Sequence, residues 1–182
     1  DTTKFKNHLK ELKDTMLKSD IYFGTSGSHA HAAELYSLKK IISNSVDFRF
    51  LSASFSLNNW TIFKKIFDLK QKKFLSLSEI YEFYNLIETD RKRFIYIEND
   101  KSEIFDLLKN GLNNLFINKE HEKKLKDFHS IRSYYINKLP LLERPSRLYE
   151  QAKTNIPFEY LKNHLYQNKN LDELSLKFYK NI

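Results

Sequence analysis

The sequence predicts an all-α fold: a single-domain helical bundle of about six to eight helices around a central two-sided helix at residues 46–69. Three observations lead there. Only three Gly and three Pro occur in 182 residues, too little turn punctuation for an all-β chain. Apolar residues recur at three- and four-residue steps through most of the sequence, the period of a helix with one buried face. Capping signals precede several of these runs.

Residues 4–18 place Phe5, Leu9, Leu12 and Met16 on one stripe. A loop containing Gly24 and Gly27 follows, and Ser28 stands where it would cap a second helix, HAHAAELYSLKKIIS, with Leu35, Leu38 and Ile42 as its face. The segment 46–69, VDFRFLSASFSLNNWTIFKKIFDL, is apolar around nearly its whole circumference. Phe48, Phe55, Ile62, Ile66 and Leu69 form one side, and Phe50, Leu57, Trp60 and Phe67 the other. As a helix it requires neighbours on both sides, and Ser52, Ala53, Ser54 and Ser56 leave room for one to approach closely.

Ser76 and Glu79 have the spacing of a capping box at the start of SLSEIYEFYNLIE. Phe94, Ile95, Tyr96 and Ile97 favour a strand, and in an all-α chain they read as a connector. Helices follow at 100–116, with Gly111 a tolerated interruption, and at 119–138, stopped by Pro140. A C-terminal helical extension, 146–182, holds two more at 146–166 and 171–180, the last capped by Asn170 with Glu173 three residues on. One domain, 1–182, is the expectation for this length.

With 41% hydrophobic and 30% charged residues the chain can build a core and stay in solution. Cysteine is absent, which excludes a disulfide framework and any thiolate metal site and fits a reducing, cytoplasmic setting. No window approaches the roughly 18 consecutive apolar residues of a membrane span, so no membrane partner is expected. Zinc-protease, phosphate-loop, dinucleotide-fold and nucleophile-elbow motifs are missing. His29 and His31 would point about 200° apart on a helix and cannot share a metal. Neither metal nor cofactor is expected.

The net charge of +8 favours acidic partners, nucleic acid first, although Lys- and Asn-rich usage also raises it without function. Residues 119–147 hold eight Lys or Arg against four acidic residues, half the net charge of the chain. On a helix over 119–138, Leu125, Phe128, Tyr135, Ile136 and the following Leu139 share an apolar arc, with Arg132 in its middle and His129 at its edge. A guanidinium on an inward stripe calls for a carboxylate, a dimer cleft or a bound anion. Basic residues interleaved with aromatics suit single-stranded RNA. The candidate contacts are Lys123, Lys124, Lys126, Tyr135, Asn137, Lys138, Arg144 and Arg147, with Arg132 and His129 as candidate catalytic groups.

Three of these segments, WTIFKKIFDLKQ, SLSEIYEFYNL and IRSYYINKLPLLERP, resemble in order and character the HEPN superfamily, in particular its abortive-infection, AbiU-like branch, over roughly residues 40–145. The resemblance implies a dimeric helical bundle acting as a metal-independent endoribonuclease in antiviral defence or a toxin–antitoxin pair, with a cognate partner protein. The family signature is an Arg with a polar residue after it and a His a few residues on. Asn137 and Lys138 match that pattern, whereas Ile136 and Leu142 stand at the Arg and His positions. This implies either an RNase using Arg132 with the preceding His129, or a catalytically degenerate relative that retains RNA binding. The competing reading is a non-catalytic helical dimerisation or protein-interaction domain.

Overall fold

The computed structural model describes residues 2–46, 48, 59–113, 118–139 and 153–165. Its architecture is mixed α/β, which overturns the all-α bundle. In chain order the elements are α1 (Thr2–Leu17), β1 (Ile21–Thr25), α2 (Ser28–Leu35), β2 (Lys39–Ser45), β3 (Trp60–Phe63), β4 (Lys65–Asp68), β5 (Lys73–Phe74), α3 (Leu77–Glu82), α4 (Tyr84–Thr89), β6 (Phe94–Ile97), α5 (Lys101–Asn113) and α6 (Lys119–Lys138). A short helical turn α7 (Phe158–Tyr160) runs into a π-helical turn, Leu161–Leu165.

The second expected helix ends early. Ser37 adopts φ 56°, Leu38 N–H donates to Ala33 O and Ser37 N–H to Glu34 O, the paired bonds of a Schellman stop. The stop uses Ser where Gly is usual, so the sequence carries no visible break, and Lys39–Ser45 emerges as a strand. Gly27, one residue before the expected Ser28, occupies the α2 cap position.

The expected central helix fails for a different reason. Trp60, Thr61, Ile62 and Phe63 are all buried, as a strand covered on both faces must be, and such a strand reads as a continuous apolar run that periodicity cannot separate from a buried helix. β1, β2 and β3 form a parallel sheet in that order, Ile21 opposite Lys39 and Ile41 opposite Trp60. A bulge between Ile42 and Ser45 accommodates Asn44 at φ 51°. Lys64 N–H then bonds Ser45 O at 2.7 Å, and the chain passes directly into β4, centre of an antiparallel sheet ordered β5-β4-β6. Residues 94–97, read as a connector, are its β6 strand, Asp68 lying opposite Phe94. Ser52, Ala53, Phe55 and the rest of 49–58 lie outside the described residues.

One apolar cluster joins both sheets through Ile41, Trp60, Ile62, Phe63, Ile66 and Phe94, with Leu107 of α5 and Phe128 of α6 closing over them. Phe48 stacks on Phe63 with ring centroids 4.3 Å apart. Gly111 is a contact rather than a tolerated gap: a Cβ there would meet Ile41 Cδ1 at 2.8 Å, so its lack of side chain lets α5 lie against β2. Met16, Ala33 and Leu38 form a smaller cluster between α1, α2 and the sheet. The helices expected at 4–18, 100–116 and 119–138 are present to within a few residues, as is the Ser76–Glu79 capping box. Within the expected 146–166 helix, residues 153–157 are non-helical and Phe158–Tyr160 and Leu161–Leu165 are helical, while 146–152 and 166 lie outside the described residues, as does the expected 171–180 helix.

Candidate functional site

Helix α6 turns His121, Phe128, Arg132 and Ile136 inward, so the predicted inward Arg is indeed buried, at 1% exposure. Beside the helix runs an extended segment, residues 153–157. Asn155 faces β3, its N–H donating to Asn59 O and its C=O accepting from Thr61 N–H, both at 2.8 Å. Strand alternation then turns the neighbouring carbonyls the other way. His121 Nε2 donates to Ile156 O at 2.7 Å and His129 Nε2 to Thr154 O at 3.0 Å. The two histidines, eight residues apart on one helix, satisfy the outer edge of the sheet.

Donation through Nε2 leaves His129 Nδ1 as a bare lone pair, buried and without a hydrogen-bond partner. Burial, opposed by the Thr154 bond and aided by the nearby Arg132 and Lys153 charges, lowers the His129 pKa to about 4. His129 and Arg132 are therefore near each other, His129 half-buried and Arg132 buried. A cavity of about 200 Å³ lined by Glu122, Lys126, His129, Lys153 and Thr154 lies on this side of α6. Arg132 is not in its lining.

The remaining sequence candidates scatter around α6. Lys123, Lys126, Asn137 and Lys138 are exposed, and Lys124 is half-buried, 3.9 Å from Glu120. Tyr135 already stacks on Tyr81, ring centroids 5.4 Å apart and planes 11° apart, and Lys138 sits 4.2 Å above the Tyr134 ring. Arg144 and Arg147 lie outside the described residues. With Arg132 turned inward and Glu120, Glu122 and Asp127 interspersed, the outer face of α6 is less basic than the segment's net charge implied.

A second cationic surface forms where the antiparallel sheet ends. Because β4 pairs with both β5 and β6, the turn at 69–72 and the turn at 90–93 are neighbours, and Leu69 N–H bonds Arg93 O at 2.9 Å. Asp68, fully buried, organises both. Its Oδ1 accepts from Lys70 N–H at 2.8 Å and Gln71 N–H at 3.2 Å. The same carboxylate takes a two-pronged contact from Arg93, Nε to Oδ1 at 3.0 Å and Nη2 to Oδ2 at 2.7 Å. This bond to Arg93, with the turn amides, holds the Asp68 pKa below its ordinary value against the effect of burial. The guanidinium lies 4.7 Å from the Phe94 ring centroid and 5.7 Å from that of Phe83, fixing its plane. Lys73 pairs with Glu79.

What the clamp displays is Lys70, Lys72, Arg91 and Lys92, all exposed and none in an ion pair among the described residues. Asp90 and Glu88 are the acidic neighbours; Asp90 Oδ1 accepts from Arg93 N–H at 3.2 Å. Sequence reading missed this surface. Its signal was present as two short runs, DLKQKK and DRKR, each an Asp followed by cations, but 16 residues of chain separate them, and only strand pairing brings them together.

A third polar cluster is structural. Glu103 accepts from Lys65 Nζ at 2.9 Å, from His164 Nε2 at 2.6 Å and from Asp100 N–H at 2.9 Å. Burial would raise its pKa, but the bonds from His164 and Lys65 outweigh it and lower the value. The cluster fastens α5 and the π-helical turn to β4, with its carboxylate oxygens already engaged. Among the described residues no group of three or more His, Asp and Glu is placed to hold a metal ion, and no helix is long and apolar enough to cross a membrane.

No family model, curated protein or solved structure matches the chain. Its function has to be read from these surfaces.

Proposed function

We propose that the chain is an RNA-binding α/β domain that engages the phosphate backbone through Lys70, Lys72, Arg91 and Lys92. The observation carrying this reading is the Asp68 clamp: one buried carboxylate fixes two turns and leaves four cations facing solvent. Preorganised cations bind a polyanion well because counterions are released without first ordering the turns. The half-buried Tyr96, close enough to Arg91 and Glu88 to be influenced by their charges, offers aromatic surface nearby. Binding rather than cleavage is the activity proposed. A metal-free RNase must present a base and a cation to one phosphate, whereas His129 holds a sheet edge and Arg132 is buried.

The test is a titration with single-stranded RNA at several salt concentrations. Four phosphate contacts give a slope of log K against log salt of about −3, at ~0.7 per contact. Replacing Lys70, Lys72, Arg91 and Lys92 with Glu should reduce affinity at least tenfold at low salt and flatten that slope. The same change at Lys123, Lys126 and Lys138 on α6 should do much less. Salt-independent binding, or a variant at the turns that binds like the parent, would refute the assignment. Tighter binding to duplex DNA than to RNA would refute the choice of partner.

A further inference from the structure

Strand β1 forms one edge of the parallel sheet, and no other segment among the described residues pairs with its outer side. Its sequence, IYFGT, contains no charge and no proline, and its pairing with β2 contains no bulge. These are the devices by which sheet edges are usually protected. Ile21 and Phe23, on the same face of the strand, are exposed by 36% and 48%. The other face packs Tyr22 against Met16, Ala33 and Leu38, yet Leu17 and Leu35, at the ends of the helices there, are exposed by 61% and 85%. An unguarded edge thus has exposed apolar side chains on both sides.

We infer that β1 pairs antiparallel with β1 of a second copy about a two-fold axis at Phe23, joining two three-stranded sheets into one of six strands. Two observations select a second copy. The strand is uncharged in a chain of net charge +8, so two copies can meet along it without placing like charges opposite each other. The pairing is also electrostatically complementary. With Phe23 opposite Phe23 of the second copy, Asp20 comes opposite Ser26 of that copy, at the entrance to its α2. The cap residue Gly27 supplies no side-chain hydrogen bond there, leaving N–H groups that an aspartate satisfies. Asp20 is exposed and makes no ion pair among the described residues. One two-fold contact meets both needs twice, as in the self-complementary interfaces common among homodimers.

The absence of cysteine allows a direct test on the full chain without RNA. Phe23→Cys would place two thiols across the axis, and mild oxidation should give a disulfide-linked dimer much faster than the exposed control Phe105→Cys on α5. In light scattering the parent should be a dimer, Phe23→Lys a monomer with unchanged circular dichroism, and Asp20→Asn a dimer several-fold weaker. A monomeric parent, or cross-linking of Phe23→Cys no faster than the control, overturns the inference. If Phe23→Lys fails to fold, the cross-linking comparison decides. RNA binding is read at other residues, so either conclusion can fail without the other.

Discussion

At the scale of single residues, this protein spends its buried polar groups on fastening backbone. His129 is the clearest case, because its pKa of about 4 couples folding to pH. The unfolded histidine, near its ordinary 6.5, takes up a proton first as pH falls. The stabilisation is therefore complete above about pH 6.5, is lost progressively towards pH 4, and amounts to about 3 kcal/mol at most. His129→Gln keeps a donor for Thr154 O but does not titrate. The urea midpoint of the parent should fall between about pH 7 and pH 4.5 by more than that of the variant, and equal losses would show that the His129 proton is not responsible. Asp68 works in the opposite charge sense, with Arg93 and two turn amides directed at one carboxylate. Asp68→Asn should cost about 2 kcal/mol, a Tm fall of about 4–8 °C for a chain this size, together with weakened RNA binding because Lys70 and Lys72 lose their fixed turn. Unchanged affinity in a folded variant would separate the clamp from the binding surface.

At the scale of elements, a few local devices decide where helix gives way to strand. Ser37 at φ 56° ends α2 where the Leu35, Leu38 and Ile42 stripe would carry a helix onward. A left-handed conformation is costly for a residue with a Cβ and nearly free for Gly. Ser37→Gly should therefore raise stability by about 0.5–1 kcal/mol despite the greater unfolded entropy of Gly, measured as a shift of the denaturant midpoint. A decrease would mean that the Ser37 side chain contributes more than its strain. Much of the helical content was legible in sequence because α5 and α6 each turn one apolar face inward and the other to solvent; α1 follows the same period although, among its described side chains, only Met16 is buried. The strands were not, because β2, β3 and β4 are buried almost throughout, and a run covered on both faces has no alternation to read.

At the scale of the whole molecule, the two proposed contact surfaces belong to different sheets. The cationic turns lie at one end of the antiparallel sheet, and the uncharged β1 edge belongs to the parallel one. In a β1-paired dimer each copy brings its own cationic turns, so RNA long enough to reach both should bind more tightly than the same length of contact on one copy. Comparing short and long oligonucleotides with the parent and with Phe23→Lys measures this directly; equal length dependence in both would exclude bivalent binding.

By itself the sequence determined the position and inward face of α6, the burial of Arg132, the Ser76–Glu79 cap and the excess of positive charge. The first three depend on residues within a few turns of one another, and the charge is a sum over the chain that no folding alters. The tertiary structure alone decided that residues 60–63, 65–68 and 94–97 are strands, that His129 donates to a backbone carbonyl, and that DLKQKK and DRKR form one surface. All three depend on which distant segments become neighbours: a strand acquires its hydrogen bonds, and a charge its companions, from parts of the chain that no local periodicity connects.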